Sequence, residues 1–264
     1  MPPLEGCRAK IARAESHLIE LGIRVGQYID TQPFRILGEY QPATNEYIIR
    51  AEAVPDYGPV PSDLVLIAGE VAHQLRSALD HLVWDLVVQN TGAPPAGMDS
   101  GYPIFRTADG YNRRAPQKIR GVSPSAANRI FAAQPCHLGD RAEEELTWIV
   151  QELNNTDKHR LIPVTLIYAF VGAVHMTVDD GPAREILPWQ EFVREPMVDG
   201  MEIVRVPVHA GEHATFDVPV GVDIAFERVG ALQNHPVNDL LVKATGHVRR
   251  LVASFEPEFA SASA

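Results

Sequence analysis

Cations are scarce in this chain. Its 264 residues hold 23 Lys and Arg against 34 Asp and Glu, a formal charge of −11 with a pI near 5.3. No overall cationic field draws nucleic acid, so any such contact has to rely on local patches. Cysteine is scarcer still. Cys7 and Cys136 are too few for a disulfide framework or a four-thiolate zinc site. Long apolar runs are missing too. The longest approach, 161–178, is broken by Pro163, Thr165, Gly172, His175 and Thr177, which predicts no membrane span. Leu4-Glu5-Gly6-Cys7 has the spacing of a lipoprotein cleavage site, but nothing apolar precedes it, and the expectation is a reduced, cytoplasmic protein. The catalytic motifs most easily read from sequence are also absent: no P-loop or Rossmann glycine pattern, no Gly-x-Ser-x-Gly elbow, no His-Glu-x-x-His and no Cys-x-x-Cys.

What is present is helical period. Leu4, Cys7, Ile11, Ala14, Leu18, Leu21, Val25 and Tyr28 step by three and four, an apolar seam that Pro33 closes. The spacing predicts further seamed helices over about 63–91, 141–156 and 236–255. Ser62 or Asp63 caps the first of these, Asp140 the second, and the third opens at Pro236. A shorter helix begins at Ser123-Pro124. None of the four long stripes is buried by its own helix, so the economical packing is a helical bundle of about four long helices.

Two stretches carry period two instead. Residues 34–40 and 47–53 alternate around a Pro/Asn turn and predict an N-terminal β-hairpin. From 161 to about 230 the alternation returns, cleanest from Phe216 to Phe226, and predicts an antiparallel β-rich insertion before the last helix. The fold class expected is therefore α+β in one domain, with a helical core over 1–160 and 236–256 and strands in 161–230.

Two clusters carry chemistry. On the second helix His73, Arg76 and Asp80 share a face, with Ser77, His81 and Trp84 on the adjacent strip. At the end of the third stands Asn154-Asn155-Thr156-Asp157-Lys158-His159-Arg160, where an acid, two fixed cations and an imidazole fall within four positions. If the two helices pack antiparallel, this corner approaches the outer face of the second helix. Arg76 and Asp80 also read as an i,i+4 ion pair, and the basic residues ending the third helix read as partners of its macrodipole. Both clusters can then be one structural network. His73, Asp80, His81, Asp157 and His159 match no recognised metal spacing, and neither metal nor cofactor is expected. A third feature is the basic stretch Arg106, Arg113, Arg114, Lys118 and Arg120 with Tyr111 interleaved, either a solvated loop or a grip on phosphate.

Arg76-Ser77-Ala78-Leu79-Asp80-His81 resembles the Arg-x(4–6)-His signature of the HEPN superfamily (higher eukaryotes and prokaryotes nucleotide-binding). The pairing of "LRSALDHLVW" with a later "LNN-DKHR" segment also looks like a family of uncharacterised bacterial proteins. The HEPN resemblance implies a small helical bundle, often dimeric, that cleaves RNA without metal or binds nucleotides. It implies that Arg76 stabilises phosphorane charge and that His81 serves as general acid or base, roles that suit a guanidinium fork and an imidazole. Asp80 and His159 would assist catalysis, and His73, Trp84, Asn154, Asn155, Asp157, Lys158 and Arg160 would hold substrate. The alternative expectation is a non-catalytic ligand-binding or interaction protein.

Overall fold

A computed structural model describes residues 2–31, 34–53, 60–95, 100–178, 181–187, 199–209, 214–217, 219–227 and 232–260. Pro33, most of the loop from Pro55 and the last four residues lie outside these. The chain is α+β: among the described residues, helices form the larger part of the regular structure and small antiparallel sheets the remainder of it.

The helix α1 (Glu5–Asp30) buries Cys7, Ile11, Ala14, Leu18, Leu21 and Val25, the seam its spacing predicts. The central element is α2 (Ser62–Thr91), which packs on α1 and on two later helices, α5 (Leu146–His159) and α6 (Val237–Ala253). It buries Leu64, Ala68, Val71, Leu75, Ala78, Leu82 and Leu86, and a second row of Val65, Ala72, Leu79, Val83 and Val87 besides. A helix apolar around most of its girth belongs inside a core. Burying each large side chain contributes about 1.5–3 kcal/mol. Gly92, in the left-handed region at φ 71°, stops the helix with its N–H on the Val88 carbonyl. The polar residues His73, Arg76, Ser77, Asp80, His81 and Trp84 of α2 stay out of its buried set and span a broad sector of the helix rather than one line.

Two helices differ from the sequence expectation. Residues 92–121 read as loop, yet α3 (Ala108–Lys118) forms there, capped by the Thr107 hydroxyl, which accepts the Gly110 N–H. After α4 (Pro124–Ala132), residues Pro135–Glu144 wind as 3-10 helix around Gly139 at φ 58°. Asp140 therefore does not cap the next helix. Glu145 does: its Oε2 accepts the N–H groups of Thr147 and Trp148 at 2.7 and 3.2 Å. The later cap moves α5 to Leu146–His159, so Asp157, Lys158 and His159 lie on the helix rather than beyond its end.

The β region also departs from a plain insertion. The strands β1 (Phe34–Gln41) and β2 (Glu46–Ala53) pair antiparallel, and β6 (Met201–Pro207) adds to β2, giving the order β1-β2-β6. A strand from late in the chain thus completes a sheet begun near its start. The alternating run 216–226 is not one strand. It divides into β7 (Ala214–Asp217) and β8 (Val220–Phe226), which belong to different sheets. Pro219, with no N–H to donate, stands between them. Strand β8 pairs with β3 (Val164–Val171), whereas β7 and β5 (Arg184–Leu187) flank β4 (Val174–Val178). Ile224 and Phe226 of β8 join the helical core, and Ala225 bridges to Pro236 at the entry to α6 (Val237–Ala253). A short α7 (Pro257–Ala260) follows.

Candidate functional site

Helices α2 and α5 meet along a polar seam. Asp157 lies so close to Gly69 that a Cβ there would collide with its Oδ1, and the side chains of His73 and Asn154 approach to 3.3 Å between Nδ1 and Oδ1. These contacts climb α2 as they descend α5, so the helices run antiparallel. The corner that ends α5 does reach the second helix, but only in part. Asn154 is buried, and Asp157 is half-buried with its carboxyl raised by burial, against the pull of His73. Lys158, His159 and Arg160 stay exposed.

One turn further up α2, Arg76 enters a cavity of about 430 Å³. Its side chain is only 14% exposed. Its Nη2 donates to Asp80 Oδ1 and to the Tyr102 carbonyl, each at 2.8 Å, and the same Asp80 oxygen accepts the Tyr102 N–H at 2.9 Å. Arg76 and Asp80 together hold both main-chain polar groups of Tyr102. Burial draws the guanidinium below its ordinary value, opposed by Asp80, but an arginine remains charged. Its Nη1 is shielded from solvent and has no hydrogen-bond partner among the described residues; the same is true of the Tyr102 hydroxyl.

The clamp explains an unusual segment. Residues 101–105 are buried without regular structure, and buried backbone polar groups need partners. Besides the Arg76–Asp80 clamp, buried Gln134 donates to the Pro103 carbonyl at 2.8 Å and accepts the Phe105 N–H at 3.2 Å. The segment is thereby fixed at both ends, and it aims Phe105 and Arg106 at the cavity. Arg106 stacks on Trp148 at 5.0 Å and pairs with Glu143, and Arg114 stacks on Phe105 at 4.7 Å. Such cation–π contacts contribute about 0.5–2 kcal/mol each, and here they restrict where the guanidinium groups point.

The cavity is thus lined by four cations: Arg76 from α2, Arg106 from the fixed segment, and Arg114 and Lys118 one turn apart on α3. The α5 wall supplies Trp148, Gln151, Glu152 and Asn155, spaced so that all four fall on one helical face. Of the basic stretch, Arg113 pairs with Asp109 in the open, and Arg120 is exposed.

His81 faces elsewhere. Five residues turn a helix by about 140° beyond one full revolution, and His81 lines a second cavity, about 520 Å³, with Gly6, Asp80, Trp84, Asp85 and Ser100. A Cβ on Gly6 would meet its Nδ1 at 2.5 Å. Trp84 is 49% exposed. Asp85 accepts the Leu4 N–H at 2.9 Å, and burial raises its carboxyl. The structure therefore brings Arg76 and Asn155 into one cavity and Asp80, His81 and Trp84 into another. His73, Asn154 and Asp157 lie on the seam below, and Lys158, His159 and Arg160 line neither cavity.

Sequence reasoning missed Tyr102, Phe105, Gln134, Trp148, Gln151 and Glu152. The 148/151/152/155 spacing was the one available signal for the α5 wall. No group of three or more His, Cys, Asp or Glu suited to a metal occurs among the described residues, and no helix there is long and apolar enough to cross a membrane. No family model, no curated protein and no solved structure matches this chain.

Proposed function

We propose that this chain binds a phosphate-bearing anion of nucleotide size in the cavity between α2, α3 and α5. The observation that carries the reading is local charge. A chain of net −11 places Arg76, Arg106, Arg114 and Lys118 around one hollow of about 430 Å³; Asp80 and Glu143 pair with the first two from outside the lining, and among the described residues Glu152 is the one carboxylate that lines it. That volume falls within the usual range for small-ligand sites. Two of the guanidinium groups are already oriented by aromatic rings, so little conformational freedom is lost when an anion arrives. Guanidinium forks match phosphate oxygens.

The reading takes α1, α2, α5 and α6 as a four-helix bundle in a cytoplasmic protein of bacterial type. It keeps the nucleotide-binding half of the HEPN resemblance. RNA cleavage by Arg76 with His81 requires both groups on one phosphate, and the separate cavities weigh against that half. The test is thermal unfolding and calorimetric titration with pyrophosphate and nucleoside monophosphates in EDTA at fixed salt. Millimolar ligand raises Tm, as binding to the native state must. Replacing Arg114 and Lys118 together by Ala weakens binding about a hundredfold, since a hydrogen bond to a charged group contributes about 1.5–3 kcal/mol, while Tm without ligand falls by only a few degrees, the loss of the Arg114–Phe105 contact. No stabilisation by any of these anions at 10 mM (about ten times a millimolar Kd) refutes the reading.

A further inference from the structure

One group in the basic cavity has the opposite sign. Glu152 lines it beside four cations, yet among the described residues its carboxylate makes no hydrogen bond and no ion pair. On simple charge grounds such a carboxylate weakens the site for every anion. It gains a use if the ligand itself brings N–H donors to it.

The cavity is chemically two-sided in a way that suits such a ligand. Arg114 and Lys118 project from α3, one turn apart. Trp148, Gln151, Glu152 and Asn155 project from one face of α5. A molecule with phosphate at the α3 side extends its other end along α5. There it meets a carboxylate that accepts at two oxygens and two carboxamides that both donate and accept.

We propose that Glu152 is a specificity-determining residue that selects, among phosphate-bearing ligands, those whose far end presents adjacent N–H donors. The guanine edge is the natural form of that chemistry. Its ring N–H and exocyclic amino group lie side by side and match the two carboxylate oxygens, while Asn155, and the amide hydrogen that Gln151 does not give to the Ile104 carbonyl at 3.5 Å, serve neighbouring ring acceptors from the same wall. Adenine offers an acceptor where guanine has the ring N–H, so it meets the carboxylate with a lone pair. The inference rests on the anion reading above and names the ligand class within it.

The test is calorimetry on the full chain with pyrophosphate, ribose 5-phosphate, AMP, IMP and GMP, using wild type and Glu152→Gln. GMP is expected to bind at least tenfold tighter than ribose 5-phosphate or AMP, with IMP between them. In Glu152→Gln that preference collapses to within twofold, while pyrophosphate binds as well as before or better, because a repelling charge is gone. Undiminished pyrophosphate binding alongside the lost GMP preference is a readout that mere loss of structure cannot produce. Equal binding of GMP, AMP and ribose 5-phosphate by wild type overturns the Glu152 assignment and leaves the anion site standing. A GMP preference unchanged in Glu152→Gln overturns it equally. Failure of every anion, pyrophosphate included, removes both.

Discussion

The two cavities beside α2 share one ion pair and little else. On one side Arg76 joins three more cations, aromatic supports and a polar helix face. On the other, Asp80 joins Asp85, His81 and a half-exposed Trp84. The Arg76–Asp80 pair divides them, the guanidinium facing the basic hollow and the carboxylate the acidic one. A single i,i+4 pair, ordinary on any helix, thus sets the sign of two neighbouring surfaces. Residues adjacent on a helix serve one site only if their phase agrees. Arg76 and His81 differ in phase, and the fold separates them.

Breaking the shared pair has the largest expected effect. Asp80→Ala leaves a buried guanidinium without its carboxylate and the Tyr102 N–H without its acceptor. With Asp80 itself 39% exposed, the cost is about 2–4 kcal/mol, or roughly 5–15 °C in Tm. The basic cavity is expected to lose its shape with it, because the segment bearing Phe105 and Arg106 is released. A variant as stable as wild type shows that the pair is not the divider.

Glu145 supports the basic side alone, by capping the helix that forms its wall. Burial raises its carboxyl, but His247 at 3.1 Å, the Thr147 contacts and the α5 N–H groups outweigh this and hold it below its ordinary 4.5. A depressed carboxyl stabilises the fold above its unfolded value, and that contribution is lost as pH falls through the folded one. Glu145→Ala is therefore expected to cost about 1–2 kcal/mol at pH 7, with the gap from wild type closing below pH 4.5. Asp157, on the same helix, has the reverse sign. Its carboxyl is raised by burial, so ionisation costs stability above the folded value and Asp157→Asn gives a small rise in Tm at pH 7 that disappears on acidification. Melting curves from pH 3 to 8 check both, and parallel curves for either pair contradict the assigned environment.

The smallest expected effect sharpens the comparison most. His81→Ala alters only the acidic cavity, so pyrophosphate affinity at the basic one is expected to stay within twofold. A tenfold loss would unite the two cavities and restore joint action of Arg76 and His81.

Much of the helical core was legible because its signal is local. The α1 seam from Leu4 to Val25 and the α2 seam from Leu64 to Leu86 follow from spacing alone, and both are buried as read. The strand run 216–226 was misread because alternation does not say where a strand changes sheets; Pro219 was the mark of the break. Arg76 was legible as a candidate by type, but its companions were not. Arg114, Lys118, Trp148 and Glu152 come from elements 30 or more residues away, and only packing unites them. Asp140 failed as a cap because Gly139 leaves the helical region beside it and Glu145 reaches the free N–H groups further on.

The pairing of β6 with β2 has a temporal side. About 150 residues separate Ala53 from Met201, so at 5–20 residues per second a nascent chain carries the hairpin for roughly 7–30 s before its third strand exists. During that interval the β2 edge, with Ile48, Ile49 and Ala51, is open to any strand that passes. The glutamates and arginines of the hairpin, paired as Arg35–Glu52 and Arg50–Glu39, put charge beside that waiting edge, the usual defence against the wrong partner.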